Sequence, residues 1–231
     1  YQKGFLQYPK ACKRVHFFGS VFSLEEFSQI VFSLGESDIN LINIYVGYIV
    51  VRPLPDSVFG ESLLRPLNSN EVFFNSLANY NINFYGLEFR INSLPFLEQD
   101  KYITTCANIG LWIALNKTSQ LFHHRLPEIN EINILAGQSQ SLLGRVYGNG
   151  LEANQICNVL KSVGLESEVR TRFTEISHFK SLIHAYNSHG IPILFGYKIG
   201  NDFLHLVTII GFKLSNQTIK VKKTELPVYS D

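Results

Sequence analysis

The stretch that decides the fold is TCANIGLWIALN, residues 105–116. Nearly every side chain in it is apolar, and a helix that is apolar on all sides is typical of one buried inside a domain. Thr104 or Thr105 can cap this helix, which places Cys106 in its first turn. The sequence therefore predicts a buried helix that begins with a thiol.

Two later stretches are typical of a β-hairpin. GIPILFGY (residues 190–197) and HLVTIIGF (residues 205–212) are rich in β-branched and aromatic residues, and Gly200-Asn201-Asp202 lies between them. Such runs around a short polar turn predict two paired, largely buried strands. A further strand is predicted over residues 218–222. His205 lies near the start of the second hairpin strand.

Cys106 and His205 are the candidate reactive pair. A thiol at a helix N-terminus meets the positive end of the helix dipole, which favours the attacking thiolate. An imidazole beside it would complete an ion pair and later protonate the leaving amine. The backbone N–H of Cys106 and the side-chain amide of Gln99, seven residues upstream, are candidate oxyanion donors.

The order Gln99, Cys106, GIPILFGY, HLVTIIGF resembles the papain-like cysteine peptidase superfamily. Within it, the chain is most similar to the bacterial branch that includes the bacteriocin-processing peptidases of ABC exporters. The resemblance covers about residues 95–225 and implies a papain-like α+β fold, with a Cys-bearing helix packed on an antiparallel sheet. It also implies that Cys106 is the nucleophile, His205 the general base and acid, and Gln99 the oxyanion donor.

The sequence departs from that family at three points. Ala107-Asn108 follows the cysteine where Gly-Pro is common, and the interval from Gln99 to Cys106 is one residue longer than usual. The family also places an Asp or Asn about 15–20 residues after the histidine, where this chain has lysines, valine and glutamate. The third triad member is therefore left open between Asn216, Asp231 and a residue beyond the chain end.

The rest of the pattern predicts two domains. Residues 1–92 are interpreted as a small α/β accessory module with a capped helix over 23–35, a buried strand over 39–55 and two strands within 71–91. Residues 93–231 are interpreted as the papain-like domain, with truncation at its C-terminus left open and outer helices over 151–164 and 174–190. The first module is a candidate surface for a partner protein.

Composition argues against several classes of function. A formal net charge of +1 gives no reason to expect nucleic acid as a partner, and no apolar run reaches the roughly 18 residues of a membrane span. No secretion signal is recognised. Three widely spaced cysteines do not make a disulfide framework, which favours a reducing, cytoplasmic compartment. The predicted mechanism needs no cofactor.

Several histidines and cysteines are interpreted as structural. His123, His124, His184 and His189 have no accompanying metal motif, so a solvated surface is favoured and no metal is predicted. Cys157 is interpreted as a core residue of its helix.

Three functions remain open from the sequence. The leading hypothesis is a thiol peptidase that cleaves peptide or isopeptide-like bonds. The alternative is a catalytically inactive papain-like module that binds peptides or acts as a scaffold. Transglutaminase-like or acetyltransferase chemistry on the same Cys-His pair is a third.

Overall fold

The computed structural model describes residues 11–33, 39–53, 58–66, 71–98, 106–137, 151–171, 173, 175–199 and 203–214. Over these ranges the chain is a mixed α+β protein with six helices and several small antiparallel sheets. The α+β class predicted from the sequence is confirmed.

The N-terminal region contains a three-stranded antiparallel sheet and two helices. In chain order, its elements are β1 (Lys13–Phe18), α1 (Leu24–Phe32), α2 (Ile39–Ile44), β2 (Tyr45–Val51) and β3 (Leu63–Leu64). The sheet has the order β1-β2-β3. Strand β1 was not predicted, although its sequence KRVHFF carries alternating apolar residues.

The predicted N-cap of α1 is confirmed. The Ser23 hydroxyl accepts a hydrogen bond from the Glu26 backbone N–H, and the Glu26 carboxylate accepts one from Ser23 N at 2.7 Å. This reciprocal pair satisfies two N–H groups that the first turn of a helix leaves without partners.

The predicted strand over residues 39–55 is wrong in its first part, because Ile39–Ile44 is helical. Pairing with β1 extends only as far as Phe18 opposite Tyr45, and Gly19 N instead donates to Ile44 O at 2.6 Å. Without a partner strand before Tyr45, β-branched residues alone do not hold an extended conformation.

The next elements are β4 (Val72–Phe73), β5 (Ala78–Phe84) and β6 (Leu87–Ser93). Strands β5 and β6 form an antiparallel hairpin joined at Tyr85 and Gly86. The prediction of two strands within residues 71–91 is confirmed.

Four helices follow: α3 (Cys106–Phe122), α4 (Ile129–Leu135), α5 (Ala153–Ser162) and α6 (Ile176–Ser188). Helices α3, α5 and α6 fall where the sequence predicted helices. Eleven of the seventeen residues of α3 are buried, which confirms the prediction of a buried helix.

The last described elements are β7 (Ile193–Ile199), β8 (Phe203–Ile209) and β9 (Phe212–Lys213). Strands β7 and β8 form the predicted hairpin. The apolar run of the second strand continues to Phe212, but the strand ends at Ile209, and β9 pairs instead with β4. Gly211 permits this crossing, because a Cβ there would lie 2.3 Å from Phe73 O. The strand expected over residues 218–222 lies outside the described residues.

Two hydrophobic cores lie on either side of the predicted boundary at residue 92. The first joins the β1-β2-β3 sheet to the β5-β6 hairpin, and the second joins α3, α4 and α5. Polar contacts cross between them: Tyr80 Oη donates to Asn116 Oδ1 at 3.0 Å, and Lys117 Nζ donates to Leu77 O at 2.6 Å. We call these two contacts, together with the β4-β9 pair, the polar seam.

Candidate active site

Cys106 is the first residue of α3 and is 8% exposed. The thiol is therefore at the positive end of a seventeen-residue helix dipole, as the sequence predicted, in a largely buried position. Residues 101–105, which contain the expected cap, lie outside the described residues.

Helix α3 packs against β8, with Gly110 facing the strand. A Cβ on Gly110 would lie 3.4 Å from Leu206 O, which is ordinary van der Waals contact, and the Thr208 hydroxyl donates a hydrogen bond to Gly110 O at 2.6 Å. The small residue and the hydrogen bond mark where the helix backbone lies against the strand. Sequence reasoning missed both residues; the signal available was a glycine inside an otherwise apolar, buried helix.

The same contacts set the direction of α3 relative to the hairpin. Its later residues Ala114 and Leu115 line a cavity with Leu194 at the start of β7, and Leu194 is paired with Thr208. Cys106 is four residues before Gly110, about 6 Å back along the helix axis. His205 immediately precedes Leu206 on β8.

The His205 side chain is on the other face of the hairpin from the α3 contacts. His205 is paired with Tyr197 across the ladder, and the two rings make an edge-to-face contact at 5.6 Å. Side chains alternate along a strand, so His205 points away from the face on which Leu206 and Thr208 contact Gly110. No hydrogen bond joins Cys106 to His205, both of which are described residues.

That second face is covered in part by α6. Phe195 lies between Phe179 of α6, at 5.1 Å, and Tyr197, at 5.8 Å. The row Phe179, Phe195, Tyr197, His205 is continuous from α6 to the turn end of the hairpin. The His205 ring therefore belongs to the α6 side of the hairpin, opposite the α3 contacts of Leu206 and Thr208.

The other predicted site residues fall in undescribed parts of the chain. Gln99, Asn216 and Asp231 all lie outside the described residues. The second oxyanion donor and the third triad member accordingly stay predictions.

Two polar contacts of α3 were not predicted. Asn108, 4% exposed, donates to Asn133 Oδ1 at 2.6 Å and so links α3 to α4. Lys117 donates to Leu77 O, and burial lowers the pKa of Lys117. Both contacts tie α3 to neighbouring elements.

The histidines interpreted as surface residues have separate contacts. His124 Nε2 lies 2.9 Å from the Thr118 hydroxyl, His184 meets the Phe212 ring edge-on, and His189 Nδ1 lies 2.9 Å from Ala185 O. Within the described ranges, no group of three His, Cys, Asp or Glu side chains is placed to hold a metal ion. Cys157 is half-buried on α5, and Cys12 is exposed.

Among the described helices, none has the length and apolar character needed to cross a membrane. Comparison of the chain with protein-family models, with curated proteins and with solved structures found no match in any of the three.

Proposed function

We propose that the chain is a papain-like thiol peptidase, with Cys106 as nucleophile, His205 as general base and acid, and Gln99 with the Cys106 N–H as oxyanion donors. The observation that carries the proposal is the position of Cys106 as the buried first residue of α3, on a helix hydrogen-bonded to the strand that bears His205. The first turn of an α-helix has backbone N–H groups that no helix carbonyl accepts, and such groups favour both a thiolate and an oxyanion.

The proposed reaction follows from these roles. The Cys106 thiolate attacks the peptide carbonyl carbon, a C–S bond forms, and the C–N bond breaks as His205 protonates the departing amine. Water, deprotonated by His205, then hydrolyses the thioester and restores the thiol. The substrate is a peptide, and no cofactor takes part. The three cysteines are unpaired, which supports a reducing compartment such as the cytoplasm.

Competitive alkylation separates a reactive thiol from a merely accessible one. Exposure alone would make Cys12 react first with iodoacetamide at pH 7, since Cys12 is exposed and Cys106 is buried. If Cys106 is activated, we expect peptide mapping to show it alkylated faster than Cys12 by about tenfold. An E-64-type epoxide should label Cys106 selectively.

The histidine is tested with a matched variant. His205→Ala should slow labelling of Cys106 to the rate of an ordinary buried thiol, while His189→Ala, at the exposed end of α6, should leave it unchanged. Labelling in the order Cys12, Cys157, Cys106 in the unmodified protein would contradict the proposal.

A second candidate is favoured by the position of the His205 ring beside Tyr197, away from the α3 contacts. It is a papain-like module that binds a peptide or partner protein without cleaving it, with the N-terminal region as a further partner surface. This candidate expects Cys106 to react slowly and His205→Ala to have no effect on its rate. The two functions therefore give opposite results in the same labelling experiment.

A further inference from the structure

A cavity of about 270 Å³ lies beside the second half of α3, between α5, α6 and the start of β7. Ten of its sixteen lining residues are apolar, among them Leu115, Leu160, Leu182 and Leu194. Small-molecule sites are typically concave and apolar with a few convergent polar groups. The cavity has this composition, and its volume is close to the lower end of the usual range of about 300–1,000 Å³.

The polar residues of the cavity lie mainly on one segment and carry an unbalanced negative charge. Glu168 accepts hydrogen bonds from the Tyr186 hydroxyl and from Arg170 Nε, the latter at 2.6 Å. These two contacts hold the pKa of Glu168 below its usual value, with the Tyr186 bond the larger cause. The Arg170 charge is thereby matched by Glu168.

Glu166, on the same segment, also lines the cavity and is exposed. None of the ion pairs within the described residues includes it. The Glu166 carboxylate therefore provides a negative charge at the entrance of the apolar cavity, where a cationic ligand group can meet it.

We propose that this cavity binds an amphipathic amine, with its apolar chain among the leucines and isoleucines and its ammonium group at Glu166. Apolar walls favour the chain through the area removed from water, and the Glu166 carboxylate selects a cationic head over an anionic one. Ala114 is eight residues beyond Cys106, about 12 Å along the helix axis. The site is thus separate from Cys106, and its occupation does not depend on thiol reactivity.

Titration of the full chain with n-octylamine, n-octanol and octanoate tests the chemistry directly. We expect octylamine to bind most tightly, octanol next and octanoate least, in amide chemical-shift titrations. The shift changes should lie in the second half of α3 and in α5, α6 and residues 165–170. From pentylamine to octylamine, each added methylene should tighten binding by up to about fourfold until the cavity is full.

Three variants assign the effect to the cavity. Ser167→Trp fills it from a half-buried wall position and should weaken octylamine binding at least tenfold. Glu166→Gln should weaken octylamine by about threefold and leave octanol unchanged, as expected for an exposed ion pair. Glu88→Gln, an exposed carboxylate on the β5-β6 hairpin, is the matched control and should change neither. Glu166→Gln alters only an exposed side chain and should fold, so this variant still tests the proposal if Ser167→Trp does not fold.

Competition with peptides distinguishes a peptide N-terminus from a lipid-like amine as the natural ligand. Phe-Ala-Ala-Ala with a free N-terminus should displace octylamine, and its acetylated form should not, if the natural ligand is the apolar end of a peptide. Binding of octylamine alone would assign the site to lipid-like amines. Equal binding of octylamine and octanoate, or shift changes concentrated at exposed apolar residues such as Val21 and Phe32, would overturn the proposal.

Discussion

The two cores of this chain are built from different side chains. The N-terminal core is aromatic: Tyr45 stacks on Phe89 at 4.3 Å, and Phe18 meets Tyr45 edge-on at 5.3 Å. The helical core is mainly aliphatic, with Leu111 and Leu115 fully buried. Aromatic rings fill the space between the β1-β2-β3 sheet and the β5-β6 hairpin and contact His16. The aliphatic core, by contrast, borders the cavity beside α3.

This difference lies in how the interiors of the two regions are filled. Flat rings in stacked and edge-to-face contact leave little free volume, and each pair adds about 0.5–1.5 kcal/mol beyond burial. In the aliphatic region the cavity lies where α3, α5, α6 and the start of β7 meet. Both Cys106 and the cavity beside α3 belong to the helical region.

The largest expected effect comes from removing a ring from the aromatic core. Phe89 is fully buried, so Phe89→Ala should lower the free energy of unfolding by ~3–5 kcal/mol. Leu115→Ala should cost less, ~2–3 kcal/mol, because Leu115 already borders the cavity. Phe96→Ala, at a 56% exposed position, is the control and should stay within about 0.5 kcal/mol.

Urea unfolding followed by fluorescence also reports whether the two cores unfold together. The only tryptophan, Trp112, lies in the helical core, far in sequence from Phe89. Because the polar seam joins the regions, we expect Phe89→Ala to move the Trp112 transition as much as the circular-dichroism transition. A Trp112 midpoint unchanged by Phe89→Ala would mean that the cores are independent.

The polar seam itself should have a smaller effect. Asn116→Ala leaves the Tyr80 hydroxyl without its acceptor, at a cost of ~1–3 kcal/mol. Tyr80→Phe combined with Asn116→Ala in a double-mutant cycle should give a coupling of about 1 kcal/mol. Tyr85→Phe, on a ring that is 69% exposed, provides the matched control and should be neutral. A coupling near zero would show that the seam does not stabilise the pair of regions.

The smallest expected effect is a loss of stability at low pH caused by His16 in the aromatic core. Burial, and then the nearby Arg14 charge, lower the pKa of His16 to about 4. The ring is stacked on Phe84 at 3.8 Å, and its Nδ1 lies 2.9 Å from the Tyr45 hydroxyl. The unfolded chain takes up a proton below about pH 6.5 and the folded chain only near pH 4, so stability is complete above 6.5 and falls as pH drops toward 4.

The loss should amount to ~1–2 kcal/mol, less than the full shift implies, because the ring is only partly buried and solvent screens its charge. Urea midpoints at pH 7 and pH 4.5 measure it. His16→Phe should flatten the dependence, and His189→Gln, in the helical region, should leave it intact. Parallel pH profiles for His16→Phe and the unmodified protein would show that another group is responsible.

The sequence was enough to predict those elements whose stabilising contacts lie within one short segment. Ser23 and Glu26 cap α1 through contacts three residues apart, and the apolar run from Cys106 predicts α3 by composition. The β7-β8 hairpin follows from two apolar runs around a turn. These elements depend on residues that are neighbours in sequence.

Errors arose where a partner distant in sequence decides the conformation. Residues 39–44 are helical where pairing with β1 ends at Tyr45, and the short alternation in β1 becomes a strand by pairing with β2. The break at Gly211 depends on Phe73, more than one hundred residues earlier. No local pattern encodes such a contact.

The sequence alone predicts the α+β class, a buried helix that begins with Cys106, and a hairpin whose second strand carries His205. Only the tertiary structure decides which face of that hairpin meets α3. A strand's alternation fixes that His205 and Leu206 point to opposite sides, but either side could pack on the helix. In the structure the Leu206 side meets the helix, and the Thr208 hydroxyl on that side donates a hydrogen bond to Gly110 O, a contact between residues 98 positions apart that no local pattern specifies.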